Sequence, residues 1–239
     1  MRGLRPGLWL VGVVVLAGAA GASAAPFAYI PNDLSNDVSV LDIATNSVVA
    51  TVPVGQLAQG VAVTPDGSRV YVANWSVDGV GNVGVIDTAT NSVVAHVETA
   101  GLNPVAVAVT PDGSRVYATN YNEGTVSVID TALNLVVGVV LVGLNPEGLA
   151  VTPDGKHVYV ADTGENTVSV IDTALNLATT LVFVGLYPQG VAVTPDGSQV
   201  YVANTNDNTV AVIDVATNLV VATVQVGNGP TAFGNFIGP

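Results

Sequence analysis

Several things are scarce in this 239-residue sequence: it has no cysteine, two histidines, five lysines and arginines, and only 5% aromatic residues. The missing cysteines remove disulfides, thiol nucleophiles, Cys-type zinc sites and a lipidated-cysteine anchor together. His96 and His157 alone give little material for imidazole-based metal or acid–base chemistry. Two of the five basic residues, Arg2 and Arg5, stand at the very start, so Arg69, Arg115 and Lys156 face 18 acids over the rest of the chain. A surface of that sign repels phosphate backbones and excludes nucleic acid as a partner. Charged residues make up only 10% against 49% hydrophobic, too apolar a mixture to stay disordered. With 26 glycines and 13 prolines interrupting it, the chain is also too broken for long helices, and a folded β-rich protein is expected.

The first segment reads differently from the rest. A basic start, an apolar run from Leu8 to about Leu16 and the small residues Ala22-Ser23-Ala24 form the three-part pattern of a secretory signal, expected to be cleaved after Ala24. The run is shorter than a bilayer span of about 20 residues and is broken by Gly12 and Gly18. The expected organisation is therefore a signal peptide over residues 1–24 and an exported domain over 25–239. That domain would have no transmembrane span and would act in the periplasm, at the cell surface or outside the cell.

The remainder is one unit repeated. Pro-Asp-Gly-Ser-Arg-Val-Tyr-Val at Pro65 returns with small changes at Pro111, Pro153 and Pro195, at spacings of 46, 42 and 42 residues. Each unit carries four alternating apolar runs, which in the third are Val105–Val109, Arg115–Thr119, Thr125–Ile129 and Leu135–Val142. A Pro-Asp-Gly turn, an Asn/Gly-rich loop and an Asp-Thr-Ala-x-Asn turn separate them. Four antiparallel strands in about 42 residues describe the blade of a β-propeller. The fold class expected is all-β: a five-bladed β-propeller with four antiparallel strands per blade. Tyr29-Ile30-Pro31-Asn32 matches a second strand, and Gly229-Pro230-Thr231-Ala232-Phe233 matches the start of an innermost one. The C-terminal strand is thus expected to complete the first blade, close the ring and leave a monomer. The alternative is an arc of a larger ring completed by dimerisation.

The strings Tyr-Val-Ala-Asn, Val-Ser-Val-Ile-Asp, Val-Val-Ala-Thr-Val and Pro-x-Gly-Val-Ala-Val-Thr-Pro-Asp-Gly resemble the YVTN family of β-propeller repeats from Phe27 to Pro239. Tyr-Ile-Pro-Asn at residue 29, Tyr-Ala-Thr-Asn at 117 and Tyr-Val-Ala-Asp at 159 depart from that pattern. The resemblance implies a propeller of bacterial or archaeal envelopes and surface layers, mostly without assigned chemistry.

Nine aspartates repeat, in the Pro-Asp-Gly turns and at third-strand ends, and capping of tight turns accounts for them. The other nine acids do not repeat, and they map to the opposite face of the disc or its margin. Asp78, Glu123, Asp162, Glu165 and Asp207 fall in or beside loops between second and third strands, and Glu147 precedes an innermost strand. Such a face attracts cations or basic partners. The unrepeated aromatics Trp75, Tyr121 and Tyr187 lie on the same face and suit ligand contact, although each could instead fold over a blade edge. Residues just before the innermost strands should ring the axial channel mouth: Gln59, Val105, Glu147, Gln189 and Thr231. That ring offers one carboxylate where a hydrolytic divalent-metal site needs several converging ligands.

The function expected is a non-enzymatic binding or scaffold module, taking a protein, polysaccharide or small ligand at its acidic top loops. Its ligand residues would be Trp75, Asp78, Tyr121, Glu123, Glu147, Asp162, Glu165, Tyr187, Gln189 and Asp207, with no catalytic residue and no cofactor beyond an optional Ca²⁺. The competing expectation is a divalent-metal-dependent, lactonase-like or lyase-like propeller enzyme with its site at the axial mouth.

Overall fold

Valine, alanine, isoleucine and threonine in alternation favour pleated strands, and the chain in a computed structural model is built of them. The structure describes residues 14–15, 27–78, 81–101, 103–232 and 236–237. Blade 1 comprises β1 (Val14–Val15), β2 (Phe27–Asn32), β3 (Asp37–Asp42) and β4 (Ser47–Pro53). Blade 2 comprises β5 (Ala58–Val63), β6 (Arg69–Asn74), β7 (Asn82–Asp87) and β8 (Ser92–Glu98). Blade 3 holds β9 (Pro104–Val109), β10 (Arg115–Asn120), β11 (Thr125–Asp130) and β12 (Leu135–Leu141). Blade 4 holds β13 (Pro146–Val151), β14 (His157–Asp162), β15 (Thr167–Asp172) and β16 (Leu177–Phe183). Blade 5 holds β17 (Pro188–Val193), β18 (Gln199–Asn204), β19 (Thr209–Asp214) and β20 (Leu219–Gln225). Each is a four-stranded antiparallel sheet in chain order, and no helix occurs among the described residues.

Two irregularities recur. Each outermost strand is bulged, so that Val128 opposes Gly138 while Ile129 opposes Val136, and the extra Val137 is left facing solvent. The innermost strands of blades 2 to 5 are bulged at their start: Ala58 pairs with Asn74 but Val61 with Val72, which leaves Gln59 and Gly60 in the bulge. A bulge turns a side chain away from the regular pleat. Here it frees Gln59, Val105, Glu147 and Gln189 from their blades.

Hydrophobic clusters lie between blades, not within them. Tyr29, Val38, Val40 and Val52 of blade 1 pack on Val61, Val63, Val70, Val72 and Ile86 of blade 2, and the pattern recurs to blade 5. We call the first set the trailing face of a blade and the second the leading face. The inner strands β5, β9, β13 and β17 touch in succession, and crowding there fixes the glycines. A Cβ on Gly148 would stand 2.2 Å from the Gln189 carbonyl oxygen, and one on Gly60 2.6 Å from the Ala106 Cα.

Ring closure differs from the expectation. The strand beside β2 is Val14–Val15, whose register pairs Val14 with Tyr29 and Val15 with Ala28. The described residues 226–232 of the C-terminal segment do not pair with that edge. Thr231 is exposed, and the Ala232 carbonyl stands against Gly190 of β17, where the next inner strand of a longer series would run. The edge of β2 admits one partner, and an N-terminal pair of valines with high strand propensity fills it. Apart from Val14–Val15, the expected signal segment 1–24 lies outside the described residues, as does Phe233.

Candidate functional site at the axial mouth and top loops

On the bottom face the repeated aspartates build turns. Asp66, Asp112, Asp154 and Asp196 each accept the hydroxyl hydrogen of the threonine two residues earlier and the backbone N–H two residues later. The threonine hydroxyl is the main reason that Asp112 and Asp196 are held down to about 2. The third-strand aspartates accept backbone N–H groups two or three residues on, and Asp87 and Asp130 also pair with Arg69 and Arg115, the latter at 2.6 Å. Lys156 lies 3.5 Å from Asp154. Arg69, Arg115 and Lys156 are thus all engaged on the bottom face.

On the other face the inner bulges bring Glu147 and Gln189 together. Both side chains are buried, and the Gln189 Nε2 donates to Glu147 Oε2 at 2.9 Å. Two threonines that sequence reasoning missed join them. The Thr119 hydroxyl donates to the Glu147 carbonyl at 2.9 Å, and the Thr205 hydroxyl lies 2.8 Å from Gln189 Oε1 and 2.9 Å from the Pro230 carbonyl. Thr119 carried a signal, since it replaces the alanine of Tyr-Val-Ala-Asn. Gln59 Oε1 is a buried acceptor that no described group satisfies, while Val105 is buried under aromatic rings. Thr231, expected in this ring, is exposed.

The remaining predicted residues separate into three kinds. Asp78, Glu123 and Glu165 are exposed on the top loops. Trp75 and Tyr121 stack at a 5.6 Å centroid separation with a 54° tilt, over Val105. Tyr121 is buried there and Trp75 half-buried, so Tyr121 serves the blade 2–blade 3 seam instead of a ligand surface. Tyr187 takes a left-handed φ of 59° and donates its N–H to Asn166 Oδ1, and Asp207 accepts the Leu186 N–H at 2.6 Å. Both shape their loops.

Asp162 is a correction of another kind. It is fully buried, at the position where Asn74, Asn120 and Asn204 stand in neighbouring blades, and cannot meet a ligand. Asn120 donates its amide to Thr125 and Ser127, whereas Asp162 accepts the hydroxyl hydrogens of Thr167 and Ser169 at 3.2 and 2.7 Å. Burial pushes its carboxyl up to about 6, against those hydrogen bonds. The repeat register had marked the position, since Tyr-Val-Ala-Asp aligns with Tyr-Val-Ala-Asn.

The donor set does not fit a hydrolytic metal centre. Among the described residues no three His, Cys, Asp or Glu side chains converge, and the mouth offers one carboxylate already bonded to Gln189. Hard cations take six or more oxygens.

With this geometry established, comparison with known proteins places the chain. A family model, the Choice-of-anchor I domain, matches residues 17–187. The chain belongs to that family. Among 1499 matching solved chains is one in the structure of Kuenenia stuttgartiensis hydrazine synthase, at a TM-score of 0.74 and 26% identity. That match covers 86% of this chain and 73% of the other. So widely shared a fold supports the propeller architecture and leaves chemistry to the site. No curated protein matches this chain. No helix among the described residues is long and apolar enough to cross a membrane.

Proposed function

We propose that the chain is an exported, surface-associated β-propeller module that binds a basic protein surface through its top loops without transforming it. The observation that carries this reading is the separation of charge. Arg69, Arg115 and Lys156 are all engaged by bottom-face aspartates, whereas Asp78, Glu123 and Glu165 are exposed on the opposite face. Such a face steers a positive partner and penalises a negative one. Membership of the Choice-of-anchor I family supports a surface location, and the YVTN-like strings agree with it. The buried and hydrogen-bonded Glu147–Gln189 pair leaves the exposed loop acids as the carboxylates a partner would meet on this face.

The test uses the full chain and a lysine-rich peptide at low salt. Neutralising Asp78, Glu123 and Glu165 together, as Asn or Gln, should weaken binding about tenfold, each contact being a partly screened surface charge. Glu98→Gln, on an outer strand, should leave affinity within about twofold. Binding that ignores the three loop acids, or that falls equally with Glu98→Gln, would defeat the proposal.

A further inference from the structure

The four internal interfaces follow one design, and the two ends of the blade series leave it half-built. At the sixth residue of the outer strand, Val52, Val97, Val140 and Val182 are 1–6% exposed because the next blade covers them; Val224, the same residue in blade 5, is 49% exposed. At the other end the outer part of the leading face of blade 1 is open, although Ala28 nearer the axis is buried. Val48 is 58% exposed, and Leu41 is half-buried where Ile86, Ile129, Ile171 and Ile213 are fully buried.

A polar contact runs in the same direction across three of the four interfaces, the exception being that between blades 1 and 2, where Asn91 Oδ1 has no partner among the described residues. The hydroxyls of Tyr71, Tyr117 and Tyr159 donate to Asn134, Asn176 and Asn218 of the following blade at 3.0, 2.9 and 2.7 Å. In blade 5 the Tyr201 hydroxyl meets no such asparagine among the described residues and lies 3.3 Å from Gln199 Oε1 instead. In blade 1 the matching asparagine, Asn46, is exposed. The missing fifth interface therefore needs a tyrosine, a valine, an asparagine and an aliphatic pair, and this chain carries all of them at opposite ends. None of these residues is charged.

We propose that the trailing face of blade 5 docks on the leading face of blade 1 of a second copy, as one more instance of the interface already made four times in the chain. Tyr201 would donate to Asn46, and Val224 would cover the Leu41–Val48 side. Because Val224 and Val48 are exposed in the same molecule, its own ends do not meet. Because the two faces differ, the contact is head-to-tail and leads to a closed ring or a filament, not to a two-fold dimer. This inference is independent of the ligand-binding proposal and departs from the expectation of a monomer.

The test is light scattering on the full chain across micromolar concentrations. Masses at multiples of the single chain are expected. Val224→Glu alone and Val48→Glu alone should each abolish assembly while circular dichroism and melting temperature stay close to those of the parent. Mixed together, the two variants should form a complex of two chains and nothing larger, since each retains the face that the other has lost. A parent that stays monomeric, assembly that survives either substitution, or variants that fail to pair when mixed would overturn the proposal.

Discussion

Outer strands β4 and β20 share the pentapeptide Val-Val-Ala-Thr-Val, yet they bury opposite ends of it. In β4 the last valine, Val52, is 3% exposed and the first, Val48, is 58% exposed; in β20 the last, Val224, is 49% exposed and the first, Val220, is half-buried. Nothing local distinguishes the two. The difference is which neighbour each blade has: blade 1 has a blade after it, and blade 5 has one before it. Stability in such an array is a sum of nearest-neighbour interfaces, so a residue's value is set by the blade opposite and not by its own strand.

That comparison can be broken most forcefully at the axis. Gly148→Ala drives a methyl into the Gln189 backbone, which cannot swing aside as a side chain would, and should cost about 3 kcal/mol. Gly227→Ala, in the segment after blade 5 where a Cβ meets nothing within 4 Å, should change the unfolding free energy read from denaturant titration by less than about 0.5 kcal/mol. Equal effects would show that the ends are packed as tightly as the interior.

A smaller effect of opposite sign is expected at Asp162. Its folded pKa is raised, so the carboxyl costs nothing below the unfolded value; the penalty accrues as pH rises from that value to about 6 and levels off above it. Asp162→Asn, which restores the residue of the other blades, should stabilise by about 2 kcal/mol at pH near 7.5 and lose that gain near pH 4. A gain that is the same at both pH values would mean that burial does not raise the Asp162 pKa.

The smallest effect separates interior from end by one hydroxyl. Tyr117→Phe should cost about 1 kcal/mol by leaving Asn176 without its donor, whereas Tyr201→Phe should be near neutral in dilute solution. Thermal melts of the pair measure this directly. A concentration-dependent cost for Tyr201→Phe would instead sharpen the case for assembly.

Much of this was legible in advance. Strands in the third repeat fall within one residue of those read from alternation, since β-branched runs bounded by Pro-Asp-Gly and Asp-Thr-Ala turns leave little choice. The axial ring was readable for Glu147 and Gln189 because the repeat register fixes which residue enters the inner bulge. The loops were less legible. Tyr121, Tyr187 and Asp207 stand in variable segments with the residue types of a ligand site, and whether such a side chain points out or folds in depends on contacts across the seam between blades. Asp162 was misread because its charge drew it toward the acidic loops, although its position in the repeat put it among buried asparagines.

The sequence by itself determined the repeat, the four-stranded blade, the turn aspartates and the sign of the surface, because periodicity, turn chemistry and charge are local properties. Only the tertiary structure decided which face of each blade is covered, that Glu147 and Gln189 share a hydrogen bond, and that Val14–Val15 rather than the C-terminal segment stands beside β2. Those outcomes depend on competition between distant segments for one edge or one face, and identical repeats carry no information on which of them prevails.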